Sequence, residues 1–159
     1  MIGIEEIPRK DIDTFWVLHW EYLNRDIFDD TFSEEDRAYF KSDAYRKSIE
    51  RFLEREPDRV HMVYFTEGEQ RVGCAQYIIY MSEDYKCLIL DFWVFPEHRG
   101  NGMGHRCFEA LTAYTNEDSA TYYSINCSDE RAKKFWRSLG FVDDGVDEYG
   151  EPLMKKVGS

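Results

Sequence analysis

From Arg99 to His105 the chain reads Arg-Gly-Asn-Gly-Met-Gly-His, with glycines at 100, 102 and 104. No Cβ stands there between the backbone N–H groups and an approaching ligand. Upstream, Leu88 to Phe95 (Leu-Ile-Leu-Asp-Phe-Trp-Val-Phe) has the apolar continuity of a strand buried on both faces, and Pro96 ends it. Downstream, Met103, Cys107, Leu111 and Tyr114 are spaced by four, four and three, along one face of a helix. A glycine turn between strand and helix aims bare amides from the positive end of a helix dipole. That is the chemistry of an anion site, best suited to phosphate. His98, Arg99, His105 and Arg106 add positive charge around it in a chain whose net charge is −12.

Asp91 is the second chemical group, a carboxylate inside the apolar strand. Left unpaired there it would be costly, so it needs a partner or a purpose. It either handles a proton or anchors a neighbouring segment by hydrogen bonds. Leu88 and Leu90, beside it, cannot titrate.

The spacing discriminates among phosphate loops. No Gly-Lys-Ser/Thr follows Gly104, and the dinucleotide fingerprint would need glycine at 105, where the chain has His105. Arg99, Gly102 and Gly104 do match [Arg/Gln]-x-x-Gly-x-[Gly/Ala], and Val94-Phe95-Pro96-Glu97-His98-Arg99-Gly100 is similar to the approach Val-x-Pro-Glu-x-Arg-Gly. In these residues the chain resembles the GCN5-related N-acetyltransferase (GNAT) family. A second segment, Asp129 to Phe141, resembles that family's Asn-x-x-Ala-x-x-x-Tyr-x-x-x-Gly-Phe, with Asp129 for the Asn and Trp136 for the Tyr.

The resemblance implies a donor, an acceptor and a set of contacts. The donor is acetyl-CoA, its pyrophosphate held by Arg99, Gly100, Asn101, Gly102, Met103, Gly104 and His105. The acceptor is a primary amine: a small cationic amine, a polyamine, an aminoglycoside or a peptide lysine. Asn126 is available for the pantetheine arm, and a backbone N–H near Phe92, Trp93 and Val94 for the thioester oxygen. Trp136 stands where a tyrosine commonly protonates the leaving thiolate; indole N–H only donates, so Trp136 can wall or hydrogen-bond the thioester but cannot be its acid. Cys127, Ser128, Tyr123 or water is left for that proton. Leu90-Asp91-Phe92-Trp93-Val94 is similar to the Glu-Asp-Phe/Ile-x-Val of diamine-acetylating relatives.

These groups need a frame to position them. Ile2, Ile4 and Ile7 suggest an edge strand ended by Pro8, and Trp16, Trp20, Leu23 and Ile27 the apolar face of a first helix. Ser33 with Asp36 opens a second helix in capping-box fashion, with stripe Tyr45, Ile49, Phe52 and Leu53 before Pro57. Strands follow at Arg59 to Thr66 and Val72 to Met81 around a turn at Glu67-Gly68-Glu69-Gln70, an antiparallel pair. Ala120 to Cys127 is parallel to the Leu88 strand if the helix between them crosses over right-handedly. Asp129 to Leu139 is a last helix ended by Gly140, and Phe141-Val142 with Leu153 to Val157 closes as a hairpin. The sum is one α/β domain over residues 1–159: a mixed sheet of about six or seven strands flanked by four helices, in the order β-α-α-β-β-β-α-β-α-β-β, as in the GNAT fold.

Composition removes other classes. The net charge of −12 argues against nucleic acid as partner. Cys74, Cys87, Cys107 and Cys127 contain no Cys-x-x-Cys, so no metal cluster or disulfide framework is expected. Neither a signal pattern nor a membrane-length apolar run is present, and a cytoplasmic protein is expected. The six acids from Asp26 to Asp36 read as a solvated charge run or as attraction for a cationic acceptor. Homodimerisation is a family habit that this sequence does not test. Two rival functions stay open: a coenzyme A-binding module without turnover, which Trp136 favours, and a nucleotide enzyme using the glycine loop.

Overall fold

The computed structural model describes residues 1–157. β1 (Ile2–Glu6) leads into α1 (Ile12–Tyr22), which runs on into a single π turn (Leu23–Ile27); α2 (Glu34–Lys41) and α3 (Asp43–Glu50) follow. Then come β2 (Val60–Glu67), β3 (Gln70–Tyr80), β4 (Lys86–Val94), α4 (Met103–Asn116), β5 (Tyr122–Asn126), α5 (Glu130–Ser138), β6 (Val142–Val146) and β7 (Pro152–Val157). All seven strands join one sheet in the order β1-β2-β3-β4-β5-β7-β6, with β1 at an edge as expected. Only β4 and β5 pair in parallel, with α4 as the crossover.

Strand alternation divides the apolar side chains between two layers. Ala75 and Tyr77 of β3 face α4 and α5, where Phe108, Leu111, Trp136 and Phe141 complete one core. Cys74 and Ile78 face α1 and α3, meeting Phe15, Trp16, Tyr45 and Ile49 in the other. Of the stripe expected for the first helix, Trp16 and Leu23 are buried, Trp20 is half-buried and Ile27 is exposed, because the π turn rotates the last residues outward.

Two features depart from the sequence reading. The single helix expected between Ser33 and Pro57 is two helices, making five in all. Ser42 takes an extended backbone, and its hydroxyl accepts from the Tyr45 amide at 3.2 Å, ending α2 and capping α3. A serine side chain that binds nearby backbone competes with helix continuation. The expected stripe nevertheless packs, since Tyr45, Ile49, Phe52 and Leu53 all lie against the α1 core.

The second departure is in β4. Gln76 pairs with Asp91 but Tyr77 pairs with Ile89, so Leu90 has no partner on β3 and is 36% exposed rather than buried. One extra residue reverses which way the rest of the strand faces. Cys87 and Ile89 point toward α4, whereas Asp91 and Trp93 point toward α1. On its other side β4 pairs with β5 only from Lys86 to Leu88, opposite Tyr122 to Ser124. From Ile89 onward that edge of β4 is unpaired, and a gap opens toward the end of β5.

Gly73 is fixed by the close approach of β3 to β4. A Cβ there would lie 2.5 Å from the Trp93 carbonyl oxygen and 3.2 Å from the Val94 Cα, both backbone atoms. Gly73→Ala is expected to lower unfolding free energy by about 1–3 kcal/mol, measured by denaturant titration. Tyr149→Ala, at a side chain 82% exposed, should change it by no more than about 0.5 kcal/mol.

Candidate active site

The glycine loop leaves β4 through a short turn at Pro96–His98. Gly100, Asn101 and Gly102 follow with φ of 97°, 55° and 70°, three successive left-handed residues that only glycine, and less readily asparagine, adopts without strain. Within the turn the Met103 and Arg106 amides bond the carbonyls of Gly100 and Gly102 at 3.1 and 3.0 Å. The amides of Gly100, Asn101, Gly102, Gly104 and His105 find no acceptor among the described residues. A Cβ at Gly100 or Gly102 would meet nothing within 4 Å, so the loop is open above its amides; one at Gly104 would lie 2.7 Å from Phe135 Cε1. Gly104 is therefore demanded by the contact of α4 with α5, and the other two by loop conformation. A row of unsatisfied donors at the start of a fourteen-residue helix fits a diphosphate.

Of the four side chains expected to reinforce this charge, Arg99, His105 and Arg106 are engaged with other protein groups. Arg99 donates from Nε to the Val94 carbonyl at 3.0 Å and from Nη2 to Asp26 at 2.6 Å. It ties the π turn after α1 to the end of β4. Arg106 pairs with Glu67, whose carboxyl that hydrogen bond holds below the usual range, and His105 Nε2 lies 2.8 Å from Ser138 Oγ. Within the acidic run Asp26 pairs with Arg99, Asp29 accepts from Thr31, and Asp36 completes the capping box with Ser33.

Asp91 reaches into a cluster that sequence reasoning did not assemble. Its Oδ2 accepts from Gln76 Nε2 at 2.7 Å and lies 3.1 Å from His19 Nε2. Its Oδ1 has no hydrogen-bond partner among the described residues and is not sealed from solvent. Tyr22 stacks on Trp93 with ring centroids 4.4 Å apart, and Tyr45 lies over His19 at 6.1 Å. Burial first, and then the Asp91 charge, push both tyrosine hydroxyls above their ordinary range, so they stay protonated donors. The signal that could have found this side is Phe15, His19 and Tyr22, spaced by four and three on the face of α1 that meets β4.

Around the gap beside β4 the remaining predicted residues separate. Phe92 turns away from Asp91 and packs on Phe65, Phe135 and Trp136. Trp136 is buried among Phe92, Phe108 and Phe141 with no hydrogen bond from its indole among the described residues, so it forms a wall. Asp129 caps α5 by accepting from the Ala132 amide at 2.9 Å, a task asparagine could also perform, which accounts for that substitution in the motif. Asn126 donates to Asp147 at 2.9 Å. Tyr123 is fully buried with its hydroxyl 2.7 Å from Thr115 Oγ1, so it cannot serve a leaving thiolate. Burial pushes the Cys127 thiol up, and that of Cys107 up to about 12, so neither offers a thiolate at neutral pH.

Comparison with known proteins accords with this geometry. A family model described as the acetyltransferase (GNAT) family matches residues 19–141. No curated protein matches in sequence. Among solved structures, an acetyltransferase from Thermus thermophilus superposes with a TM-score of 0.70 at 17% identity, covering 99% of this chain and 97% of the other. The PaiA N-acetyltransferase of Thermoplasma acidophilum, in complex with coenzyme A, gives 0.69 at 15% identity, with 99% of each chain covered. A spermidine/spermine N-acetyltransferase from Vibrio cholerae gives 0.66 at 14%, covering 99% and 95%. At these identities the likeness is one of fold. Among the described residues no helix is long and apolar enough to cross a membrane.

The buried thiols have a direct test. Titration of the folded protein with an aromatic disulfide reagent at neutral pH should reveal no fast-reacting cysteine, and all four should react once the chain is unfolded.

Proposed function

The chain belongs to the acetyltransferase (GNAT) family, and on that premise we propose that it transfers an acetyl group from acetyl-CoA to the primary amine of a cationic acceptor, directly and within one ternary complex. The observation that carries this reading is the set of unpaired amides of Gly100, Asn101, Gly102, Gly104 and His105, at the mouth of the gap along β4 and close in the chain to Asp91. Bound acetyl-CoA supplies an activated thioester. The loop amides hold its diphosphate, and the unpaired edge of β4 at Phe92, Trp93 and Val94 offers backbone groups to its arm and carbonyl. Trp136 walls the gap from the α5 side.

The amine presents the main energetic obstacle. An alkyl ammonium with a pKa near ~10.4 is deprotonated in only about one molecule in 2,500 at pH 7, a cost of roughly 4.6 kcal/mol. Asp91 Oδ1 is a counter-ion for the ammonium and a proton acceptor, directly or through water, as the nitrogen lone pair is released. Tyr22, Tyr45 and Trp93 give that cation aromatic walls. The Cys127 thiol, kept protonated by burial, donates to the Asp129 carbonyl at 3.7 Å; we assign it to the departing sulfur as a donor once turned from that carbonyl, with water as the source of the proton. A covalent route through Cys127 or Cys107 is disfavoured by the same raised thiols.

A second reading, a coenzyme A-binding module without turnover, is favoured by Trp136 at the position of the family's tyrosine. Thiol release from acetyl-CoA measured over a panel of polyamines, aminoglycosides, amino acids and lysine peptides separates the two, alongside calorimetric binding of coenzyme A. Release with any amine supports the enzyme; binding with no release across the panel supports the module. Gly102→Glu, which adds a negative charge and a strained left-handed side chain, should abolish coenzyme A binding while the protein still folds. Unchanged affinity would remove the loop from the account. Asp91→Asn should lower kcat about a hundredfold or more with coenzyme A affinity unchanged. An unaltered rate with a lower melting temperature would make Asp91 an anchor instead.

A further inference from the structure

We propose that His19 and Gln76 are positioning residues for Asp91: by occupying Oδ2 from two different elements they leave Oδ1 as the only carboxylate oxygen presented to an acceptor amine. The inference rests on the reading of Asp91 as the group that meets the amine, and deepens it.

Three observations carry it. Both hydrogen bonds to Asp91 fall on Oδ2, one from β3 and one from α1. Held from two directions, the carboxylate cannot turn about its last bond without breaking one of them. Gln76 is a fully buried amide in the middle of the sheet, and its Oε1 has no partner. Exchanging its O and N would set an oxygen against the Asp91 oxygen, so the orientation is fixed and the orphaned acceptor follows from it. Leaving a buried acceptor unpaired weakens a fold. An apolar residue at this place would avoid that cost, which points to the bond with Asp91 as the reason for Gln76.

His19 is as tightly held. Its ring is stacked between Phe15 at 5.7 Å and Tyr45 at 6.1 Å, with Trp16 and Trp93 edge-on. The Asp91 oxygen is an acceptor, so His19 Nε2 carries the proton between them. The bulge at Leu90 completes the device by turning Asp91 onto this face.

The test compares His19→Leu, which removes the donor, with His19→Gln, whose side-chain amide can place an N–H where Nε2 stands. Thiol release is followed with the best amine of the panel, together with melting temperature and coenzyme A affinity. His19→Leu is expected to lower kcat/KM for the amine about ten- to a hundredfold, the loss falling on kcat with the KM for acetyl-CoA unchanged. His19→Gln should restore it to within about threefold of wild type. A folded His19→Leu as active as wild type overturns the proposal, and so does a folded His19→Gln no better than His19→Leu. Should His19→Leu fail to fold, Gln76→Leu removes the other donor and carries the same expectation. If the wild-type protein releases no thiol with any amine, the reading of Asp91 fails instead. Crystal structures then still decide the positioning claim: the Asp91 carboxylate should turn in His19→Leu, or in Gln76→Leu if that is the folded variant, and keep its place in His19→Gln. An unmoved carboxylate would refute the claim.

Discussion

Because β4 pairs with β5 only as far as Leu88, a mixed sheet that would otherwise be continuous has an open seam through its middle. Backbone groups along the seam have no strand to bond, and a sheet does not leave such a row unpaired at its centre without something to replace the missing strand. The glycine loop follows the unpaired end of β4. Its amides, the start of α4 and the free edge of β4 thus line up their donors along the seam, flanked by an apolar layer on either side. Phe92 and Trp136 fill one flank, Trp93 and Tyr22 the other.

The bulge at Leu90 decides what chemistry the seam can do. Without it Asp91 would point into the apolar layer beneath α4 and α5, toward Phe108 and Trp136, which offer a carboxylate nothing. With it, Asp91 meets His19 and Gln76 and shows one oxygen to the outside. A single residue of slip therefore converts a misplaced charge into a held one. The charges expected around the phosphate loop have the opposite history: Arg99 and Arg106 each find a carboxylate of the protein, and the loop's field comes chiefly from backbone dipoles, which need no counter-ion and do not titrate.

Much of this was legible in the amino-acid order. The run from Leu88 to Phe95, the glycines after it and the four-four-three spacing of α4 each follow a strong local rule, and so do the capping box at Ser33 and the C-terminal Gly140. What was hidden depends on distance or on a one-residue slip. His19 lies 72 positions from Asp91 and Gln76 lies 15 away, so no spacing rule joins them. The bulge leaves no mark in composition, since Leu90-Asp91-Phe92 reads alike whichever way it faces. Ser42 was invisible for another reason: a serine inside an apolar stripe is ordinary until its hydroxyl turns back on the chain. Asp129 and Trp136 were conspicuous as departures from a motif, yet their neighbours show one doing the usual capping work and the other doing none of the usual acid's.

The tie from Arg99 to Asp26 spans the two halves of the molecule, one end at the loop, the other at the π turn that finishes α1. That turn follows directly on Tyr22, which covers Trp93. The glycine loop and the stacked pair of Tyr22 and Trp93 are thereby linked by a strut rather than merely adjacent. Loop and π turn thus share one ion pair, and a change that removes either partner leaves both segments without it.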